Sequence, residues 1–276
     1  MKFLIILGLG YGLVVAFMYA AQSSMIFPGT KLPSRPLTEP LAPARLLIER
    51  EGDVMLAGML FSPDGADLAS DDKPSGQPPD LLIGFGGNAQ DAETLGQDLA
   101  ARFPAMHVAV FHYRGYGESG GSPSEEALLA DALAIYDRLR LDLDPGRVYA
   151  LGVSLGSGVA TYLSSKRDLS GIILVTPYDS ILNVAKQAYP WLPVGLLLKH
   201  RFDSMTAMAG NATPTAIIAA GDDRLIKPER TARLRAEIQT LVFDRTIEGA
   251  SHGGIHSFSL YWEALFEALG ALKEGG

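Results

Sequence analysis

A serine lies between glycines in GVSLGSG, which follows the apolar run RVYAL and precedes a second apolar segment. A serine hydroxyl is a weak nucleophile at neutral pH, so it needs a base to take its proton and a third group to orient that base. Gly152 and Gly156 have no Cβ, so a strand and a helix can approach closely around a turn that exposes the Ser154 hydroxyl. The pattern predicts that Ser154 is a nucleophile, with a purely structural turn as the alternative.

The base must come from five histidines. His107 and His112 fall within an expected buried strand, and His200 falls on an expected outer helix. His252 lies in the glycine-rich loop EGASHGG after the last expected strand, and catalytic groups are commonly displayed on such loops. We therefore expect His252 to be the base, with His256 as the alternative. The two glycines between His252 and His256 disfavour the helical spacing of a zinc-binding pair, so we expect no metal site.

The acid that orients the base is expected at the end of the strand TAIIAAG, in the sequence GDDRLIKPE. Asp222 and Asp223 both stand there, before a helix that begins near Pro228, a residue suited to a first helical turn. We expect Asp223 to be the acid. Asp222 remains an alternative, as does Asp179, which ends the preceding strand in TPYDS. Each of these aspartates could instead be a helix cap or a turn residue.

Acyl transfer also needs N–H donors for the oxyanion that develops on the carbonyl oxygen. One such donor is the backbone amide that follows the nucleophile, here Leu155, and the second comes from a loop after an earlier strand. The glycine-rich GFGGNAQDAE is placed to supply it, and Asn88 is the expected donor. The side chain of Asn88 could alternatively cap the next helix. In YRGYGESGG, Arg114 and tyrosine are expected to hold a turn beneath the site, with a direct contact of Arg114 to substrate as the alternative.

The elements that must position these residues alternate between short apolar runs and segments with helical spacing. This alternation predicts parallel βαβ units, hence a mostly parallel sheet with helices on both faces. An initial hairpin is expected around EGD, followed by a solvated loop at 64–80. We expect a single α/β domain over residues 44–276 with a short cap at about 180–213.

Composition excludes several classes of function. The net charge is −8 with no cluster of Lys or Arg, so nucleic acid is not an expected partner. The chain has no cysteine, which excludes disulfides, thiolate catalysis and Cys-ligated zinc. The hydrophobic fraction of 47% is typical of a globular protein with a sizeable core.

The N-terminal segment FLIILGLGYGLVVAFMYAA contains no charge and reaches the length needed to cross a bilayer as a helix. We expect residues 1–22 to be a transmembrane anchor and the proline-rich residues 23–43 to be an extended tether. A cleaved signal peptide is the main alternative, although Met18 makes a poor cleavage site after Ala20. A buried core helix is a further alternative.

Six motifs occur in a recognisable order: GFGGNA, FHYRGYGESGGSPSE, GVSLGSG, YPWLPVGLLLKHRFDS, GDDRLIKPE and GASHGG. Together they resemble the α/β-hydrolase superfamily. More narrowly, they resemble its membrane-anchored serine hydrolase branch with an FGGNA oxyanion motif, which includes acyl-protein thioesterases and bacterial relatives. The resemblance covers about residues 23–270 and implies a triad of Ser154, Asp223 and His252. Many superfamily members have histidine where this chain has Gly86.

The resemblance implies a serine hydrolase that cleaves a carboxylic ester or thioester through an acyl-serine intermediate, without metal or cofactor. The expected partners are a small or lipid-like acyl substrate and the membrane, with no obligate protein partner. The expected location is the bacterial inner membrane with the catalytic domain outside the cytoplasm, or secretion after signal cleavage. A peptidase or amidase on the same triad, and a catalytically silent binding protein, are the alternative functions.

Overall fold

The structure is a computed structural model that describes residues 2–31, 43–63 and 77–275. Within these ranges the chain forms one eight-stranded sheet with the strand order β1-β2-β4-β3-β5-β6-β7-β8. The strands are β1 (Ala44–Arg50), β2 (Val54–Phe61), β3 (Leu81–Phe85), β4 (His107–Phe111), β5 (Val148–Val153), β6 (Gly171–Val175), β7 (Thr215–Ala220) and β8 (Leu241–Ile247). Residues 32–42 of the expected tether and residues 64–76 of the expected solvated loop lie outside the described residues.

The helices bracket this sheet in the alternating order that the sequence predicts. They are α1 (Lys2–Ile26), α2 (Ala92–Arg102), α3 (Glu125–Leu143), α4 (Leu155–Ser164), α5 (Ile181–Ala188), α6 (Val194–Leu197), α7 (Ser204–Met208), α8 (Pro228–Glu237) and α9 (Ser259–Glu274). The segment expected to form the cap contains α5, α6 and α7.

Strand direction confirms the predicted architecture. The hairpin of β1 and β2 is antiparallel, and β2 pairs antiparallel with β4. All pairings from β4 through β3, β5, β6 and β7 to β8 are parallel. Because the carboxyl ends of parallel strands meet at one edge of a sheet, the loops after β3, β5, β7 and β8 are brought to the same edge.

The core consists of two layers, one on each face of the sheet. In the fully buried strand β3, Leu81 and Ile83 pack into the layer that includes α3 and α4, whereas Leu82 packs into the layer that includes α2 and α9. Side chains alternate between the faces of a strand, so an uninterrupted apolar run is needed where both faces are covered. The sequence pattern and the doubly covered sheet therefore agree.

Helix α1 differs from the other helices because most of its side chains are exposed. Its most apolar 18-residue window has a mean hydropathy of 2.2, and none of that window is buried. This excludes the alternative of a buried core helix. Among the described residues α1 is the one helix that is long and apolar enough to cross a membrane. It continues to Ile26 and is followed by a 3₁₀ turn at Pro28–Lys31.

Candidate active site

Ser154 occupies the turn between β5 and α4 with φ 50° and ψ −112°. A residue with a Cβ rarely adopts positive φ, and such strain costs about 1–3 kcal/mol, so it persists only where the surroundings enforce it. The two flanking glycines allow the turn to close. A Cβ on Gly152 would lie 2.4 Å from the carbonyl oxygen of Gly156, and a Cβ on Gly156 would lie 2.1 Å from the carbonyl oxygen of Phe85. Strand and helix therefore approach closely around Ser154, as the sequence predicts, and this residue is half-buried.

Three of the predicted site residues form a continuous hydrogen-bonded series. Oγ of Ser154 lies 2.8 Å from Nε2 of His252, and Nδ1 of His252 lies 2.6 Å from Oδ2 of Asp223. An ionised carboxylate can only accept, so Nδ1 carries the proton that is donated to Asp223. In the neutral imidazole Nε2 is then an acceptor, and the Ser154 hydroxyl donates to it. The geometry thus orients the imidazole to take a proton from the serine.

The structure distinguishes between the three candidate acids. Asp223 is buried, and its second oxygen, Oδ1, accepts from the backbone N–H groups of Leu225 (2.9 Å) and Ile226 (2.7 Å). Its neighbour Asp222 is exposed. Asp179 is fully buried, and its carboxylate is paired with the guanidinium of Arg230 at 3.0 Å. Asp223 is therefore the carboxylate placed to orient His252.

The other histidines lie in different surroundings. His256 is exposed, and its carbonyl accepts from the indole of Trp262. His107 and His112 are buried in or directly after β4, and burial lowers the pKa of both. The expected helical position of His200 is wrong. It lies in the connection between α6 and α7, because the backbone there turns to contact α1, as shown by the Lys199 N–H that donates to the Gln22 side chain at 2.7 Å.

The expected oxyanion loop lies against the turn that carries the serine. A Cβ added to Gly87 would lie 3.8 Å from Cβ of Ser154. The N–H of Gly87 donates to Oε1 of Gln90 at 2.9 Å, so it is already occupied. Within the described part of the chain, neither the N–H of Asn88 nor that of Leu155 has a hydrogen-bond partner. The helix that follows is capped by Asp91 and not by Asn88.

Two tyrosines of the motif YRGYGESGG fix this loop. The hydroxyl of Tyr113 donates to the carbonyl of Gly86 at 2.8 Å, and that of Tyr116 donates to the carbonyl of Asn88 at 2.9 Å. Burial raises the pKa of both tyrosines, so their hydroxyls stay protonated and keep donating. Their place in YRGYG, next to an expected structural turn, was the available signal.

Arg114, which lies between these two tyrosines in sequence, is held by an ion pair with α3. Its guanidinium donates to both oxygens of Asp131, at 2.6 and 2.7 Å, and Asp131 also accepts from Arg50 at 3.0 Å. Asp131 is buried on α3. This fixed ion-pair network, with both oxygens engaged, matches the structural role expected for Arg114. Within the ranges that the structure describes, no group of three or more His, Asp or Glu side chains is arranged to hold a metal ion.

Comparison with known proteins identifies the family. A sequence profile of the α/β-hydrolase fold matches residues 81–210, which contain the oxyanion loop and the Ser154 turn. An uncharacterized protein of Mycobacterium tuberculosis is 31% identical over 227 residues, covering 81% of this chain and 77% of the relative. The chain belongs to the α/β-hydrolase superfamily.

Two other similar proteins have names that state a function. The lysophosphatidylserine lipase ABHD12 of Danio rerio is 39% identical over 97 residues, covering 32% of this chain and 25% of the lipase. The esterase Pf2001 of Pyrococcus furiosus superimposes with a TM-score of 0.62 at 17% identity, covering 86% of this chain and 95% of that structure. The esterase comparison supports the fold alone.

Proposed function

We propose that this protein is a serine hydrolase that cleaves carboxylic esters or thioesters through an acyl-serine intermediate, with Ser154, His252 and Asp223 as its triad. The observation that carries the proposal is the series of contacts from Oγ of Ser154 through both nitrogens of His252 to Asp223. Such a series supplies the two things a serine hydroxyl lacks, a base within reach and a group that fixes the tautomer of that base.

In the acylation step, Oγ of Ser154 forms a bond to the substrate carbonyl carbon while its proton passes to Nε2 of His252. The N–H groups of Leu155 and Asn88 are proposed to donate to the oxyanion, which their unoccupied state in the described structure supports. Collapse of the tetrahedral intermediate breaks the bond to the alkoxide or thiolate, which leaves with the proton from His252. Asp223 stabilises the imidazolium formed in between.

In the deacylation step, water takes the place of the leaving group. Its oxygen bonds to the acyl carbon while His252 accepts one of its protons. The bond to Oγ of Ser154 then breaks, the proton returns from His252 to Oγ, and the carboxylic acid is released. The same three side chains serve both halves of the cycle, and the proposal requires neither metal nor cofactor.

The preference for an ester or thioester over an amide is tested with matched acyl groups. We expect an octanoyl ester and an octanoyl thioester to be hydrolysed at least about a hundredfold faster than an octanoyl anilide. Ser154→Ala, which keeps the same Cβ in the strained turn, should abolish all turnover. Ser165→Ala is the matched control, because this hydroxyl bonds only the Tyr162 carbonyl at the end of the same helix.

Faster turnover of the anilide would assign a peptidase or amidase. A folded wild type without any turnover or labelling would favour a binding protein.

We also propose that α1 anchors the enzyme in a membrane. Its 25 residues span about 37 Å at 1.5 Å per residue, which exceeds the roughly 30 Å hydrocarbon thickness of a bilayer. The prediction is that the full chain partitions into membranes and resists extraction by carbonate. Protease protection in spheroplasts tests the expected orientation: cleavage of the catalytic domain by external protease supports a location outside the cytoplasm, and full protection contradicts it.

A further inference from the structure

Helix α1 runs along the cap from Tyr11 to Gln22. The Tyr11 hydroxyl donates to the carbonyl of Trp191 at 2.9 Å, and the Gln22 amide donates to the carbonyl of Leu197 at 3.1 Å. The ring of Tyr19 lies 4.3 Å from Nζ of Lys199. These contacts follow the helix over about 16 Å, at 1.5 Å per residue. The cap is therefore held against the helix that is proposed to lie in the membrane.

An apolar cavity of about 100 Å³ lies between α1 and the cap. Met18, Met25 and Ile26 of α1 form one wall, and Ile181, Ala185 and Leu192 are among the residues that form the other. Gln22 also borders the cavity, but its amide is engaged by the backbone of the cap on both its nitrogen and its oxygen. The walls therefore offer hydrocarbon and thioether surface, which suits an apolar ligand without hydrogen-bonding groups.

The position of this cavity along α1 places it at the edge of the membrane. About 20 apolar residues cross the hydrocarbon layer, so a span that begins at Phe3 ends near Gln22. The cavity residues Met18, Met25 and Ile26 surround that end point. On the adjoining cap, Trp191 is 53% exposed and Leu196 is 88% exposed, although both are large and apolar. The carbonyl of Trp191 accepts from Tyr11, about 16 Å before Gln22 along α1, so this face of the cap lies beside the apolar span and its exposed apolar side chains are available to lipid.

One lining residue of the cavity is connected to the candidate active site by a short segment of chain. Ile26 lines the cavity, and Gly29, three residues later, donates its N–H to the carbonyl of Asn88 in the oxyanion loop. Three residues of chain span at most about 11 Å. A cavity of about 100 Å³ holds only part of a long hydrocarbon chain, and the rest of the same molecule would extend along this segment towards Ser154.

We propose that this cavity binds the hydrocarbon chain of a membrane lipid, and that the substrate of the enzyme is a long-chain lipid ester drawn from the bilayer that holds α1. The proposal rests on the hydrolase activity proposed above for the nature of the bond cleaved, but the binding of the chain does not require turnover. A lipid is favoured over a water-soluble ligand because α1, which is proposed to lie in the membrane, forms one wall of the cavity and the lining is apolar.

The first test compares esters of increasing acyl length with the full-length protein in lipid vesicles. Wild type should hydrolyse p-nitrophenyl palmitate with a kcat/KM at least about tenfold above that for the acetate. Ala185→Phe fills the cavity and should lower this palmitate-to-acetate ratio by about tenfold. Ala188→Phe is the matched control, because Ala188 is exposed on the same helix and does not line the cavity. Ala185→Leu replaces the phenylalanine variant if the latter does not fold. An unchanged ratio in the cavity variant, or a wild type that prefers acetate, would overturn the proposal.

The second test measures binding without turnover. Ser154→Ala protein in vesicles is irradiated with a palmitoyl ester that carries a photoreactive diazirine near the end of its chain. Cross-links to peptides that contain Met18–Ile26 or Ile181–Leu198, lost in Ala185→Phe, support the cavity site. Cross-links confined to other peptides contradict it. If wild type hydrolyses no ester of any length, the hydrolase proposal fails, and this cross-linking result still decides the question of the cavity.

Discussion

The backbone N–H of Gly29 donates to the carbonyl of Asn88 at 3.2 Å, so the segment that follows α1 forms part of the support of the proposed oxyanion loop. The ring of Tyr116 covers this contact so closely that a Cβ on Gly29 would lie 2.0 Å from it. Phe27, which is buried, packs edge-on against the rings of His200 and Phe202. The end of α1 and the candidate site are thus one packed unit.

Removing the Tyr116 hydroxyl tests the support of this loop. Tyr116→Phe leaves the Asn88 carbonyl with one donor fewer, and a hydrogen bond of this kind contributes about 0.5–1.5 kcal/mol. We expect kcat for ester hydrolysis to fall about two- to tenfold with little change in KM, since the loss concerns the oxyanion donor. Tyr136→Phe is the control, because its hydroxyl donates to the distant carbonyl of Asp168. Equal kcat values for the two variants would contradict the proposed role of the loop.

The close approach of strand and helix beneath Ser154 predicts a steric effect at Gly156. Gly156→Ala forces a Cβ against backbone atoms of the oxyanion loop, which cannot move aside as a side-chain end can. We expect a loss of about 1–3 kcal/mol in the free energy of unfolding and reduced probe labelling. Gly270→Ala in α9 meets no atom within 4 Å and should instead stabilise the fold by about 0.5–1 kcal/mol. Urea denaturation measures both, and equal stability of the two variants would refute the steric argument.

Three aspartate-to-asparagine variants separate the candidate acids. Asp223→Asn should lower kcat by about 10³- to 10⁴-fold, because an amide can hold the imidazole in the wrong tautomer. Asp222→Asn should leave kcat within about twofold, since Asp222 is exposed. Asp179→Asn leaves the buried guanidinium of Arg230 without its charge partner, so it should cost several kcal/mol of stability while the folded fraction retains activity. A large loss of kcat in a stable Asp222→Asn protein would reassign the acid.

Burial of His107 predicts a dependence of stability on pH. Burial lowers its pKa below the ordinary value of 6.5, so below that pH the unfolded chain binds a proton that the folded state does not. The free energy of unfolding is then fully retained above about pH 6.5 and falls as the pH drops towards the folded pKa. His107→Gln should therefore show a smaller decrease in Tm between pH 7.5 and 5.5 than wild type. Parallel Tm profiles for the two proteins would show that His107 does not contribute.

The sequence predicted the fold well because its signals are local. Apolar runs such as LLIGF are typical of strands covered on both faces, and glycines on either side of Ser154 indicate a sharp turn between strand and helix. His252 was the leading candidate for the base because it lies in a glycine-rich loop after the last expected strand. All of these features can be recognised within a dozen residues, and the structure brings Ser154 and His252 together as their positions at strand ends require.

The remaining features depend on contacts between distant parts of the chain. Asp222 and Asp223 are adjacent and chemically identical, and only burial and the direction of the side chain distinguish them. The hydrogen bond from Tyr116 to Asn88 joins separate loops, as does the contact of His200 with Ser23 at 2.9 Å. Sequence periodicity carries no information about such pairings, so neither the loop support nor the packing of α1 on the cap could be foreseen.

The most direct test of the central claim is the site of covalent modification by a fluorophosphonate, located by peptide mass spectrometry on the folded full-length protein. We expect one phosphonylated residue, Ser154, with labelling abolished in Ser154→Ala, strongly reduced in His252→Ala and unaffected in Ser165→Ala. Absence of any adduct on folded wild type, or an adduct on another serine that survives in Ser154→Ala, would contradict the assignment of Ser154 as the nucleophile.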